Sequence, residues 1–234
     1  MSCLLRFFGI GLPGQKILDL GTGTGVIPRA LSKYGAKFTG TDLSEGQISA
    51  AIRLSKDQGL DIKWKVCPAE ETGMPDNCFD IVTACQCWWY FDKIKVIPEI
   101  KRVLKPNGKL ALLFMNWLPF QDNVAGMTEE LVLNYNPDWK GFGFKGNRYT
   151  LPLWLNDDFK LNTYHSFRLS VNFTRESWRG RIRSCRGIGA SLSKEEVGRF
   201  DSEHDQMLKK IVPECFAVEH EAWFEIYELT GRKL

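Results

Sequence analysis

The first half of this chain alternates short apolar stretches with segments of helical period, and that rhythm leaves few folds open. "KILDL" at residues 16–20 reads as a buried strand, after which Val26, Ile27, Ala30, Leu31 and Tyr34 recur at helical spacing up to Gly35. Pro28 fits that helix only in its first turn. "KFTGTD" is a second strand, and Ser44 with Gln47 then makes an S-x-x-Q capping box for a helix that stops at Gly59. "IKWKV" and "FDIVTAC" are strands three and four. A helix from about Lys93 to Leu104 ends at the turn "KPNG", and "KLALLFM" makes strand five. Strands and helices alternating at this spacing imply a parallel sheet with right-handed crossovers, so the class is α/β.

Beyond residue 116 the rhythm changes. "LPFQDNVAGMTEELVLNYNPDWKGFGFKGN" is aromatic-rich and loop-heavy, with one helix near Met127–Tyr135, and reads as an insertion covering a site. "FKLNTYHSFRLSV" is a strand followed by a helix from Thr174; a second helix starts at the capping box Ser193–Glu196, and "AVEHEAWFEIYEL" is the last strand.

Composition excludes several classes. With 44% hydrophobic and 25% charged residues the chain is ordinary globular material, and a net charge of +3 does not argue for nucleic acid. No apolar run approaches the roughly 20 residues that span a bilayer, so no membrane role is expected. The opening "MSCLLRFFGIG" is interrupted by Arg6 and lacks a small-residue cleavage site, so it reads as part of the fold. Seven cysteines without a C-x-x-C pair, and three histidines without ligand spacing, predict no metal site; they suit reduced thiols and a cytoplasmic location.

The glycine turn narrows the ligand. Gly21, Gly23 and Gly25 give G-x-G-x-G behind a strand, where backbone can approach a ligand at the carboxyl edge of the sheet. The dinucleotide fingerprint G-x-G-x-x-G would need Gly or Ala at position 26, which is Val, and no G-K-[ST] follows for a phosphate loop. Asp19, two residues before the first glycine, suits a ligand with an ammonium group better than one with two phosphates.

"ILDLGTGTG" resembles the first motif of the class I S-adenosylmethionine-dependent methyltransferases of the small-molecule kind. "GTDLSEGQISAA", "PAEETGMPDNCFDIVTACQCWWYFD" and "EIKRVLKPNGKLAL" are similar to later motifs of that family, in order, over about residues 12–116. The resemblance implies a Rossmann-like seven-stranded sheet in the order 3-2-1-4-5-7-6, with strand seven antiparallel, helices on both faces and an insertion after strand 5. It implies one methyltransferase domain over 1–234: a cofactor-binding half to residue 116, a substrate cap with strand 6 over 117–190, and a C-terminal helix and last strand over 191–234.

The cofactor implied is S-adenosylmethionine. Asp19, Gly21, Thr22, Gly23 and Gly25 would hold its methionine portion and Asp42 its ribose hydroxyls. Leu43 and Gln47 would flank the ribose or adenine, Ala69 and Glu70 would meet the adenine, and Cys85 completes the set. Pro68 stands where many relatives have Asp. Such enzymes usually carry helices before strand one that close over the cofactor; here about 15 residues precede it, so the lid falls to residues 117–150, to a partner subunit, or is lacking.

No catalytic constellation is visible, and none is required, because a sulfonium methyl needs mainly a positioned nucleophile and exclusion of water. Relatives often read A-Q-x-x-H-W-F-D where this chain has "CQCWWYFD"; Trp89 stands in place of their His, and Tyr90 in place of their Trp. Trp88 and Trp89 then either wall an apolar site or pack under the insertion. Arg175, Arg179, Arg183 and Arg186 fall on one helix face, either to bind an acidic small-molecule substrate or to pair with neighbouring acids. The reading is methyl transfer to a small molecule, with a carboxylate-bearing acceptor as its finer expectation. A catalytically silent cofactor-binding protein, an RNA methyltransferase and an NAD-dependent oxidoreductase are the rivals. The spacing disfavours NAD, and no second basic stretch supports nucleic acid. Monomer and homodimer stay open.

Overall fold

The structure, a computed structural model, describes residues 2–146, 152 and 158–230. Seven strands form one mixed sheet in the order β3-β2-β1-β4-β5-β7-β6, the order expected. They are β1 (Lys16–Leu20), β2 (Lys37–Asp42), β3 (Lys63–Val66), β4 (Phe79–Cys85), β5 (Leu104–Trp117), β6 (Phe159–Thr174) and β7 (Cys215–Leu229). β1 pairs in parallel with β2 and β4, β2 with β3, and β4 with β5. The helices are α1 (Ser2–Phe7), α2 (Val26–Leu31), α3 (Glu45–Asp57), α4 (Lys93–Val103), α5 (Asn123–Tyr135), α6 (Arg175–Arg183) and α7 (Lys194–Ile211).

The chain divides into two compact units. The first comprises residues 1–114, 150–165 and 224–234; the second comprises 115–149 and 166–223. In the first, the strand residues Ile17, Phe38 and Ile81, with Ile62 just before β3, join Leu5, Ile10, Ile27 and Leu31 in one apolar core. Leu5 and Ile10 bury the opening segment in it, as its sequence suggested. In the second, Trp117, Leu131, Trp178, Ile182, Phe200 and Leu208 make a helical core of α5, α6 and α7.

Local signals set most boundaries. Ser44 Oγ accepts the Gln47 N–H at the head of α3, and the reciprocal capping box of Ser193 and Glu196 opens α7. Two details differ from the sequence reading. α5 begins four residues before Met127, because the Asp122 carboxylate caps it by accepting the Ala125 N–H at 2.9 Å. "KPNG" does not precede β5 but bulges within it: Phe79 pairs with Leu104 and Ile81 with Lys109, with Asn107 at φ +60° taking up the surplus backbone.

Candidate functional site

At the carboxyl ends of β1, β2 and β4 the sequence-predicted residues converge within the first unit. The Asp42 carboxylate is the hub. One oxygen accepts the Gly23 N–H at 2.8 Å and the other the Ser44 N–H at 2.9 Å, so it ties the glycine turn to the head of α3. An ionised carboxylate has about four acceptor positions, so roughly two remain. Gly23 itself borders open space: at φ +56°, a β-carbon there would have only Gln47 Oε1 nearby, at 3.9 Å. Leu43 is 75% exposed beside it.

Asp19 lies beneath the turn rather than on its surface. It is 1% exposed and accepts hydrogen bonds from the Thr22 and Thr83 hydroxyls, both at 2.5 Å. Burial pushes its carboxyl up to about 6, against the lowering effect of the two threonines. At 1% exposure it offers no open face to a ligand, so Asp19 braces the turn from inside through the two hydroxyls.

The third glycine, unlike Gly23, borders a side chain rather than open space. A β-carbon on Gly25 would lie 2.2 Å from Trp64 Cη2, and one on Gly40 would lie 2.4 Å from Trp64 Cζ3. The indole of β3 therefore lies flat against the turn and β2, its Nε1 donating to Ser55 Oγ at 3.2 Å. Gly25 is glycine to admit Trp64, and at φ +78° it is the left-handed cap of α2.

After β4 the structure shifts emphasis from Cys85 to Cys87. Cys85 packs against the apolar core, where burial first and then Asp19 push its thiol up to about 12. Cys87 instead meets the turn: its Sγ donates to the Leu20 carbonyl at 3.1 Å, and a β-carbon on Gly21 would lie 2.9 Å from it. Ala69 is buried, while Glu70 accepts the Asp92 N–H at 2.9 Å, linking the loop after β3 to the loop after β4. Lys93 Nζ donates to the Trp88 and Phe91 carbonyls at 2.6 and 2.7 Å and stands 4.9 Å over the Trp88 ring. Trp88 is thus buried and pinned, whereas Trp89 is 67% exposed, its ring 5.1 Å from Phe114. Of these, Trp64, Cys87 and Lys93 were not singled out from the sequence; strand alternation would put both thiols of "CQC" on one face, and it is the end of β4 at Cys85 with Gln86 at φ +62° that turns Cys87 towards the glycine turn.

The profile of the methyltransferase domain family matches residues 18–112. The ubiquinone biosynthesis O-methyltransferase of Histophilus somni is 32% identical over 189 residues, which cover 68% of this chain and 79% of that protein. The chain belongs to the class I S-adenosylmethionine-dependent methyltransferases. S-adenosylmethionine is the cofactor of this family. The similarly named protein of Pseudomonas savastanoi pv. phaseolicola is 30% identical over 57% of this chain; the chain spans 60% of that relative's length. Among solved structures, one described as a type II methyltransferase from Anaeromyxobacter dehalogenans superposes with a TM-score of 0.66 at 20% identity, covering 98% of this chain and 96% of that one. The Haemonchus contortus phosphoethanolamine N-methyltransferase 2, in complex with S-adenosylhomocysteine, gives 0.51 at 21% identity, with 98% of this chain and 52% of that chain covered. These two likenesses concern the fold.

Arg175, Arg179 and Arg183 of α6 belong to the second unit, where each is ion-paired. Arg175 pairs with Glu214 at 2.6 Å; Arg179 pairs with Asp201, with Asp205 at 3.0 Å and with Glu176 at 3.2 Å; Arg183 pairs with Asp201 at 2.5 Å and Glu176 at 2.6 Å. Of the two readings, these contacts are those of pairing with neighbouring acids: Asp201 and Asp205 come from α7, Glu176 from α6 itself and Glu214 from the residues just before β7. Part of the predicted lid, residues 147–150, lies outside the described residues; within 117–146, Glu129 anchors the segment, accepting the Trp117 indole N–H at 2.6 Å and the Gly143 N–H at 2.8 Å. Among the described residues no group of three or more His, Cys, Asp or Glu could hold a metal, and no helix is long and apolar enough to cross a membrane.

Proposed function

We propose that this chain transfers the methyl group of S-adenosylmethionine to a small-molecule acceptor. The observation that carries the reading is Asp42, a carboxylate at the end of β2 with two acceptor positions to spare, beside a glycine whose absent side chain leaves open space. That cradle fits the cofactor: Asp42 would accept the ribose hydroxyls, the backbone of Gly21, Thr22 and Gly23 would line the methionine portion, and Leu43 and Gln47 would flank the ribose or adenine. Ala69 and Glu70 would border the adenine, with Cys87 taking the place first given to Cys85. Gly25 and Asp19 support the cradle from behind.

When bound, the cofactor would supply a sulfonium-activated methyl group open to in-line displacement by an acceptor lone pair, with a neutral thioether as leaving group. The chain's residues hold the acceptor in line and keep water out. Lys93 fixes the segment Trp88–Phe91 through two carbonyls, so that segment is a rigid wall. Exposed Leu43, Trp89, Tyr90 and Ile94 on this side of the first unit favour an acceptor with an apolar or aromatic face. A carboxylate on the acceptor finds no support in the internally paired α6 arginines. The chain then forms one methyltransferase domain, with the cofactor-binding half ending at residue 116 and the cap with strand 6 at residue 190.

The test is titration with S-adenosylhomocysteine, read by calorimetry and thermal shift, with NAD alongside. A ligand at 100 times its dissociation constant stabilises the folded state by about 2.7 kcal/mol. Asp42→Ala removes a charged acceptor and should weaken binding by about 10- to 100-fold. Binding that is undiminished in Asp42→Ala, or NAD binding instead, would refute the site. Labelled methyl appearing in RNA rather than in a small-molecule fraction would refute the acceptor class, and cofactor binding without any transfer would leave a silent binding protein.

A further inference from the structure

A second concave site lies at the opposite ends of the same strands. The connection from β3 to β4, residues 67–78, contains no helix, so part of the sheet face beside the edge strand has no cover from it. β1 and β2 pair Lys16 with Lys37, and β2 and β3 pair Thr39 with Lys63. Side chains alternate along a strand, and Ile17, Phe38 and Ile62 take the core side. Lys16, Lys37, Thr39, Lys63 and Lys65 therefore share the other face. They line a cavity of about 740 Å³, closed at one side by Met74, Pro75 and Cys78.

Its charge is one-sided. The lining holds four lysines against the single acid Asp61, an excess equal to the net +3 of the entire chain. Among the described residues no carboxylate lies within 4.0 Å of the ammonium groups of Lys16, Lys37, Lys63 or Lys65. Lys65 donates to the Thr72 carbonyl at 2.7 Å, which holds it in the lining with two protons to spare. The nearby cavity lined by Lys101 and Arg102 is built differently: there Lys101 pairs with Asp158 at 2.6 Å and Arg102 with Asp76 at 2.5 Å. Cations left unpaired in a concavity within the size range of small-molecule sites point to an anionic occupant.

We propose that this cavity binds a small polyanion, a compound carrying two or more phosphate groups. Lysines act as mobile point charges that suit phosphate without demanding one geometry, and Thr39 adds a hydroxyl. The lysines cluster in one hollow rather than along a stripe, which favours a compact ligand over a nucleic-acid backbone. Lys37 and Asp42 stand five residues apart on β2, about 16 Å, so the site is separate from the cofactor cradle. The proposal does not depend on the methyl-transfer reading.

The experiment uses the full chain with inorganic pyrophosphate, inorganic phosphate and a single-stranded RNA oligomer as probes, followed by calorimetry at two salt concentrations. Pyrophosphate should bind saturably and more tightly than phosphate. Lys37→Gln and Lys63→Gln, made separately and checked for an unchanged melting temperature, should each weaken it at least tenfold while leaving S-adenosylhomocysteine affinity unaltered. Asp42→Ala should leave pyrophosphate binding intact. Pyrophosphate affinity equal in the wild type and both lysine variants, or no saturable binding at millimolar concentration, would overturn the proposal. RNA binding tighter than pyrophosphate, with a steep salt slope lost in the lysine variants, would overturn it in favour of a nucleic-acid surface.

Discussion

Gly25→Ala separates a packing role for the third glycine from a ligand role. The new methyl would sit 2.2 Å from Trp64 Cη2 at φ +78°, so two costs arise. Left-handed backbone costs a non-glycine residue about 1–2 kcal/mol. Driving the indole from its seat against Gly25 and Gly40, with strain on its hydrogen bond to Ser55, costs about 1–3 kcal/mol more, as for other overpacked sites. Together these predict a loss of about 2–5 kcal/mol. In a Trp64→Ala background the clash is gone and only the backbone cost of about 1–2 kcal/mol should remain, a coupling of about 1–3 kcal/mol in the double-mutant cycle. Urea denaturation followed by far-UV circular dichroism measures all four corners without relying on the removed indole. Additive costs, or a stable Gly25→Ala protein that has lost only S-adenosylhomocysteine binding, would refute the packing argument and return Gly25 to the ligand.

Two further perturbations probe the second unit. His204 is fully buried; its Nε2 meets Thr128 Oγ1 at 3.1 Å and its Nδ1 has no partner, and burial depresses its ordinary value of 6.5 to about 4. Its contribution is complete above pH 6.5 and is lost as pH falls towards 4, by up to about 3 kcal/mol, so His204→Met should flatten the pH dependence of urea unfolding across that window. Arg179→Ala should destabilise by about 1–3 kcal/mol because Asp201 and Asp205, both largely covered, lose a shared partner. Arg175→Ala, facing the exposed Glu214, should cost about 0.2–1 kcal/mol. Neither should change the Michaelis constant for the methyl acceptor once one is found; a rise of tenfold or more in folded Arg179→Ala protein would restore the substrate reading of that helix.

What the sequence disclosed and what it withheld divide along the range of the interactions. The strands of the first half, the caps at Ser44 and Ser193 and the turn at Gly21 are short-range signals: period, side-chain chemistry and spacing within a few residues specify them. The Arg179 pairs with Asp201 and Asp205 bridge 22 and 26 residues, and the spacing along α6 says only that arginines share a face, not what faces them. Trp64 closes over Gly25 from a strand 39 positions later, so a glycine needed for packing has the same sequence signature as one needed for a ligand. The lysine cavity shows the limit most sharply. "KWKV" states by alternation alone that Lys63 and Lys65 oppose Trp64, and that much was readable. That the lysine side is open, however, follows from the helix-free path of residues 67–78 and from the register that brings Lys16 and Lys37 alongside. Charge held on one face acquires chemical meaning only when topology decides what lies over it.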